Sequence, residues 1–155
     1  MLVFLDTNIL GSLSNPNASP KAVQCQIWFE RLLARGGYFV SSELCFYEAK
    51  RSLVLGVKRG VNSQGLEKLI ALRDLVDFIP VTPSVADLVA EIWAEARLQG
   101  IPTADAENLD IDMFIAAHWR LLQEEFPGRY VVVSTTNIKH LSRFTEAKEW
   151  REIRY

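Results

Sequence analysis

The sequence predicts a single α/β domain: a mainly parallel sheet with helices on both of its faces. Short, continuously apolar runs at 1–5 and 130–133 lack polar alternation, which marks strands covered on both sides. They alternate with amphipathic stretches of ten or more residues, the pattern of crossover units in a parallel sheet. The length of 155 residues suits one domain, since a chain of about 150 residues buries roughly 68–70% of its extended surface.

Residues 1–5 form the first predicted strand, which ends at Asp6. Residues 14–17 supply turn chemistry, and Ser19-Pro20 reads as an N-cap followed by proline at the first helical position. That helix should run to about Arg35, where Gly36-Gly37 stops it. Tyr38, Phe39 and Val40 form a second strand, and Ser41-Ser42 can cap a helix reaching about Lys58. The stretch from Gly60 to Gly65 breaks it before a shorter helix over 66–75. Residues 76–81 look like a third strand, ending at Thr82-Pro83. Val85, Leu88, Val89, Ile92, Trp93 and Ala96 then trace one apolar helical face. Residues 100–108 read as a loop, and Ile111, Phe114, Ile115, His118 and Leu122 mark another helical stripe. After the Pro127-Gly128 turn, 130–133 is a strand rich in β-branched residues. The tail from His140 carries one helical turn and a last strand near Trp150.

Composition narrows the function classes. At 49% hydrophobic and 23% charged, the chain is close to the globular average of about 45–50% and 25%, which excludes bulk disorder. No apolar run nears the roughly 18 residues of a membrane helix, and the N-terminal run meets Asp6 too early for a signal peptide. Cys25 and Cys45 are too few and too far apart for a disulfide scaffold or a zinc knuckle. A reducing cytoplasm is therefore the expected setting. With a net charge of −2, any nucleic acid would have to be met by a local basic patch.

In an open parallel sheet, ligands collect outside the carboxyl ends of the strands, and that is where the acids of this chain stand. Asp6-Thr7-Asn8 follows the first strand, where Asp6 also suits a helix N-cap. Glu48 shares a helical sector with Leu44 and Leu55, a costly place for a carboxylate unless it is paired or binds a cation. The bland alternative is a salt bridge to Arg51 or Lys50. Glu43 is explained by the helix dipole alone. Asp110 and Asp112 open an apolar helix within Asn108-Leu109-Asp110-Ile111-Asp112. The dipole accounts for Asp110, whereas Asp112 borders Ala116 and Trp119, and the Ala116-Ala117 pair would let this helix approach the sheet. Asn137 follows the last buried strand, where turn formation is its simplest role. Hard oxygen donors with almost no histidine or thiolate nearby suit Mg²⁺ or Mn²⁺, the standard equipment of phosphodiester hydrolysis.

The run into Asp6-Thr7-Asn8, Ser41-Ser42 leading to Glu48, Asp112 in Asp-Met-Phe-Ile-Ala-Ala, and 132–137 follow one another in an order that resembles the PIN-domain ribonucleases, and within them the VapC-like toxins. The likeness spans essentially the whole chain. It implies a three-layer α/β/α sandwich and a divalent-metal endoribonuclease in which Asp6, Glu48 and Asp112 are metal ligands. It also implies a small antitoxin that blocks the site, and a homodimer. Many family members carry an aspartate where this chain has Asn137, so one negative charge is missing. Asp110 is the candidate extra ligand, and Asn137 would orient a water.

Other residues carry simpler readings. His118 lies on an apolar stripe and His140 suits a structural hydrogen bond, and neither stands beside a Ser or Cys motif that would make a triad. Trp28, Trp93 and Trp119 sit at core spacing. Lys50 and Arg51, with Lys139 and Arg143 as second choices, are candidate RNA contacts or simply solvated charges. The alternatives are a DNA nuclease or other metal-dependent phosphoryl hydrolase, or a degenerate PIN domain that binds RNA or protein without cutting. An aspartyl-phosphate phosphatase would need a second aspartate at position 8, where Asn8 stands.

Overall fold

In the computed structural model, which describes residues 1–17, 19–101 and 110–154, β1 (Leu2–Leu5) is the middle strand of a five-stranded, all-parallel sheet. β2 (Tyr38–Ser42) and β3 (Asp77–Ile79) lie on one side of it, with β4 (Val131–Ser134) and β5 (Ala147–Lys148) on the other. The order is β3-β2-β1-β4-β5. Every residue of β1 and β4 is buried, which is why both runs are apolar without alternation.

The connections are helical. α1 (Thr7–Leu13) and α2 (Pro20–Ala34) join β1 to β2. α3 (Glu43–Lys58) and α4 (Gln64–Ala71), with a 3-10 turn at Leu72–Asp74, join β2 to β3. α5 (Pro83–Leu98) and α6 (Ile111–Glu125) carry the chain back past β1 to β4, and α7 (Ile138–Leu141) leads to β5. Right-handed crossovers that first step outward and then reverse put α1–α4 on one face and α5–α7 on the other. The result is the three-layer α/β/α architecture the sequence predicts. No helix among the described residues is long and apolar enough to cross a membrane.

The main core surrounds the sheet, where Phe29 and Phe39 rings lie 4.4 Å apart and Trp28 meets Phe39 edge-on at 5.9 Å. A smaller cluster of Val85, Ile92, Met113, Ala116 and Ala117 joins α5 to α6. The alanine pair packs α6 against α5, and α6 also lies close to the sheet as expected, with Ile115 and Leu122 in the main core and His118 stacked on Phe4 of β1.

Several boundaries move. The third strand shrinks to three residues, and the last strand ends before Trp150, which begins a 3-10 turn at Trp150–Glu152. α4 starts at Gln64 and takes in Gly65, where a Cβ would meet Leu53, Pro16 and the Ser14 carbonyl at 3.1–3.3 Å. Trp93 is not core: it is 39% exposed, with Arg97 stacked 5.0 Å from its ring centre. Leu55 is exposed too, since α3 buries Cys45, Phe46 and Ala49. Of the predicted 100–108 loop, residues 102–108 lie outside the described residues, as does Leu109 of the acidic motif.

The stop after α2 has a clear cause. Gly36 adopts φ 81°, and the Gly36 and Gly37 N–H groups donate to Leu33 and Leu32 carbonyls at 2.9 and 2.8 Å. A Cβ on Gly37 would lie 2.9 Å from the Leu32 carbonyl oxygen, a backbone atom that cannot swing away. Gly37→Ala is therefore expected to cost about 1–3 kcal/mol of stability, as overpacking does. Urea denaturation measures it, and an unchanged midpoint would contradict this tight contact.

Candidate active site

The chain leaves β1 at Asp6, whose side chain caps α1 by accepting from the Thr7 N–H. It is also 5% exposed, far more buried than a cap requires. β1 pairs with β4 so that Leu5 lies opposite Ser134, and the Asp6 N–H donates to the Ser134 carbonyl at 3.1 Å. That register brings Thr135 beside Asp6, and its hydroxyl donates to Asp6 Oδ2 at 2.6 Å. Asn8 Nδ2 donates to the same oxygen, while Asn8 Oδ1 accepts from the Thr136 N–H at 3.1 Å. These bonds tie the ends of β1 and β4 together where the strand order reverses, the place at which open α/β sheets bind ligands.

Asn137 extends the network. Its N–H donates to Thr135 Oγ1 at 2.8 Å, and its side-chain amide donates to Asp112 Oδ2 at 3.1 Å. It does more than form a turn: it holds a carboxylate from α6 near the end of β4. Glu48 arrives from α3 on the other side. Asp6, Glu48, Asp112 and Asn137 line one cleft of about 650 Å³, together with Thr7, Asn8 and Arg51. Glu48 is 3.6 Å from Arg51, so the bland salt bridge is present, but Arg51 is exposed and such pairs are weak.

The electrostatics follow from this crowding. Burial pushes the Asp6 carboxyl up to about 6 against the pull of its hydrogen bonds to Thr135 and Thr7, and the charges of Asp112 and Glu48 push the same way. Asp112 is also shifted upward, by burial first and then by the charge of Asp110, with His140 and Asn137 opposing.

Asp110 acts on this site through its charge and does not line the cleft. Nor do Lys50, Lys139 and Arg143, and Arg143 instead borders a separate hollow beside Trp119 and Tyr130. His118 is buried, with Nδ1 2.8 Å from the Phe114 carbonyl and Nε2 3.4 Å from that of Pro80. Glu43 pairs with Arg73 through two contacts of 2.7 Å, which hold its carboxyl below the usual range. The buried Cys45 thiol is pushed up to about 12, chiefly by burial, which leaves it without nucleophilic character. Sequence reasoning quoted Asn8 and Thr135 within motifs but assigned neither a role. The only signal was their place, two residues after Asp6 and one residue after the neighbouring strand.

No protein-family model matches the sequence, and no curated protein matches it. Solved structures do. The chain is similar to one in VapBC-1 from nontypeable Haemophilus influenzae, at TM-score 0.66 and 20% identity, covering 98% of this chain and 100% of that one. Chains in VapBC2 from Rickettsia felis (bound to a DNA fragment from their promoter) and in FitAcB from Neisseria gonorrhoeae match at TM-scores of 0.68 and 0.66. Their identities are 20% and 18%, and each match covers 97% of this chain and 99% of the other. The fold is PIN-like.

The donors of this PIN-like cleft suit a hard cation: carboxylate, amide and hydroxyl oxygens, with no thiolate or imidazole lining it. Among the described residues, no three acidic, histidine or cysteine side chains stand together so that they could hold a metal ion between them, so Asp6, Glu48 and Asp112 do not form a three-carboxylate site. Mg²⁺ commonly takes only one or two carboxylates and keeps several waters, so an open cleft of separate acids fits it. Thr7 Oγ1 is buried there beside the Cys45 thiol.

Two outcomes follow for protein kept in chelator. Because folding raises the Asp6 pKa from 3.8 to about 6, the folded state favours the protonated acid. Stability contributed by this group is fully present below pH 4 and is lost as pH rises through about 6. Asp6→Asn should therefore be more stable than wild type by about 1–3 kcal/mol at pH 7.5 and equal to it near pH 4. Thermal melts across that window check this, and a pH-independent difference would refute it. Asn137→Asp replaces a donor to Asp112 with a like charge, so its metal-free melting temperature should fall. Calorimetric titration should show it binding Mn²⁺ more tightly than wild type.

Proposed function

We propose that this chain is a divalent-metal-dependent endoribonuclease, the toxin of a toxin–antitoxin pair. The observation that carries the reading is the convergence of Asp6, Glu48 and Asp112 on one cleft at the reversal point of the sheet. The PIN-like fold shared with VapBC structures supports it.

Mg²⁺ or Mn²⁺ would be held by the cleft carboxylates Asp6, Glu48 and Asp112, one or two of them directly and the rest through its waters, with Asp110 adding negative charge behind Asp112. A divalent ion supplies acidification of water and charge neutralisation on a phosphate. The chain itself supplies orientation. Thr135 and Asn8 lock one oxygen of Asp6, and Asn137 locks one oxygen of Asp112. Locked carboxylates present their free lone pairs in fixed directions, which is the value of an outer hydrogen-bonded shell. Arg51 lines the cleft and would meet a substrate phosphate. Lys50, Lys139 and Arg143 are further out and would contact RNA only as it runs past the cleft. An antitoxin that occupies the cleft, a homodimer and a cytoplasmic setting belong to the same proposal.

A panel of labelled RNA and DNA oligonucleotides, with Mg²⁺, Mn²⁺ or chelator, tests it. RNA should be cut, and only with a divalent ion. Asp6→Asn, Asp112→Asn and Glu48→Gln should each lose about 10²-fold or more, while Glu43→Gln, which only releases Arg73, should cut at a near-normal rate. Cleavage of DNA alone would favour a DNA nuclease, and cleavage in excess chelator would remove the metal from the mechanism.

A further inference from the structure

A second concave surface lies on α2 and the C-terminal tail, and none of its lining residues lines the acidic cleft. It measures about 660 Å³. Its floor is apolar: Trp28 and Leu32 from α2, Trp150 and Ile153 from the tail, with Ile27 41% exposed at the edge. Four arginines rim it, Arg31 on α2, Arg35 at its C-cap and Arg151 and Arg154 on the tail, and no carboxylate among the described residues lines it. Arg151 bonds only to the neutral Gln24 side chain at 3.2 Å and lies 4.9 Å over the Trp150 ring. None of the four makes a salt bridge among the described residues. In a chain of net charge −2, four guanidinium groups on one apolar groove without a salt bridge among the described residues are an uneven placement of charge.

We propose that this groove docks an acidic peptide segment of a partner protein, with apolar side chains on the floor and carboxylates on the arginine rim. Guanidinium forks match carboxylates in paired, planar hydrogen bonds, and an apolar floor strengthens them by excluding water. From Gln24 to Arg35 the helix spans about 16 Å at 1.5 Å per residue, the length of about five extended residues. Single-stranded RNA sites instead offer exposed aromatic faces for base stacking. Here Trp28 and Trp150 are 8% and 5% exposed, and the Trp28 indole N–H is held by the Ile153 carbonyl at 3.0 Å. The floor receives side chains, not bases. The inference is independent of the nuclease reading, because the groove and the cleft share no residue.

The test is selection from a random-peptide display library on the full chain, followed by fluorescence-polarisation titration of the enriched peptides. The enriched peptides should carry two or more Asp or Glu residues interspersed with large apolar ones, and their affinity should fall with added salt. The double variant Arg31→Glu/Arg151→Glu should weaken them about tenfold or more. Arg35→Glu/Arg154→Glu should do so independently, with both variants checked for unchanged melting temperature. Asp6→Asn should bind the peptides as wild type does, so loss of cleavage and loss of docking are separable. Three results would overturn the proposal: no enrichment, enriched peptides without acids, or equal binding to wild type and both variants. An RNA oligonucleotide that loses affinity in these variants while the peptides do not would assign the groove to nucleic acid instead.

Discussion

The structure depends on one buried carboxylate at the end of its central strand. Asp6 follows four fully buried apolar residues and is itself 5% exposed, so it sits where an unpaired charge would be costly. Among the described residues it makes no salt bridge. Its partners are a hydroxyl, a side-chain amide and a backbone N–H, from Thr135, Asn8 and Thr7. Those donors come from both sides of the β1–β4 pairing, so the same bonds that satisfy the acid also clamp the two strands at the reversal of the sheet. A slip of one residue in that register would turn Thr135 to the other face and leave Asp6 without its partner.

Glu43 contrasts with Asp6 and Asp112 of the cleft. Glu43 is met by the Arg73 fork and its carboxyl is held low. The guanidinium is anchored in turn over Phe46, 3.9 Å from the ring centre. Asp6 and Asp112 are met by neutral donors and their carboxyls are pushed up. Neutral donors leave the negative charge of these two acids in place, whereas the Arg73 fork offsets that of Glu43; Arg51, 3.6 Å from Glu48, is exposed and offsets little. Crowding these acids forgoes stability.

Charge is also divided across the molecule in a way that its small net value hides. The acids of the cleft gather at the carboxyl ends of the central strands, while four arginines gather around α2 and the tail. Opposite fields on separate surfaces can guide different partners to different places.

The sequence by itself determined the layered α/β architecture and most element boundaries. Strand runs, helical stripes and caps such as Ser19-Pro20 are local signals, set by backbone geometry within a few residues. It also pointed to Asp6, Glu48, Asp112 and Asn137, because each stands just past a strand or in the first turns of the helix nearest the strand ends. Only the tertiary structure decided what these residues do to one another. Thr135 reaches Asp6 across 129 positions and Asn137 reaches Asp112 across 25, contacts that follow from strand order and register rather than from any local pattern. The same holds for faces. Trp93 and Leu55 share helical spacing with buried neighbours but are exposed, because periodicity gives the width of an apolar stripe while the packed neighbour decides how much of it is covered.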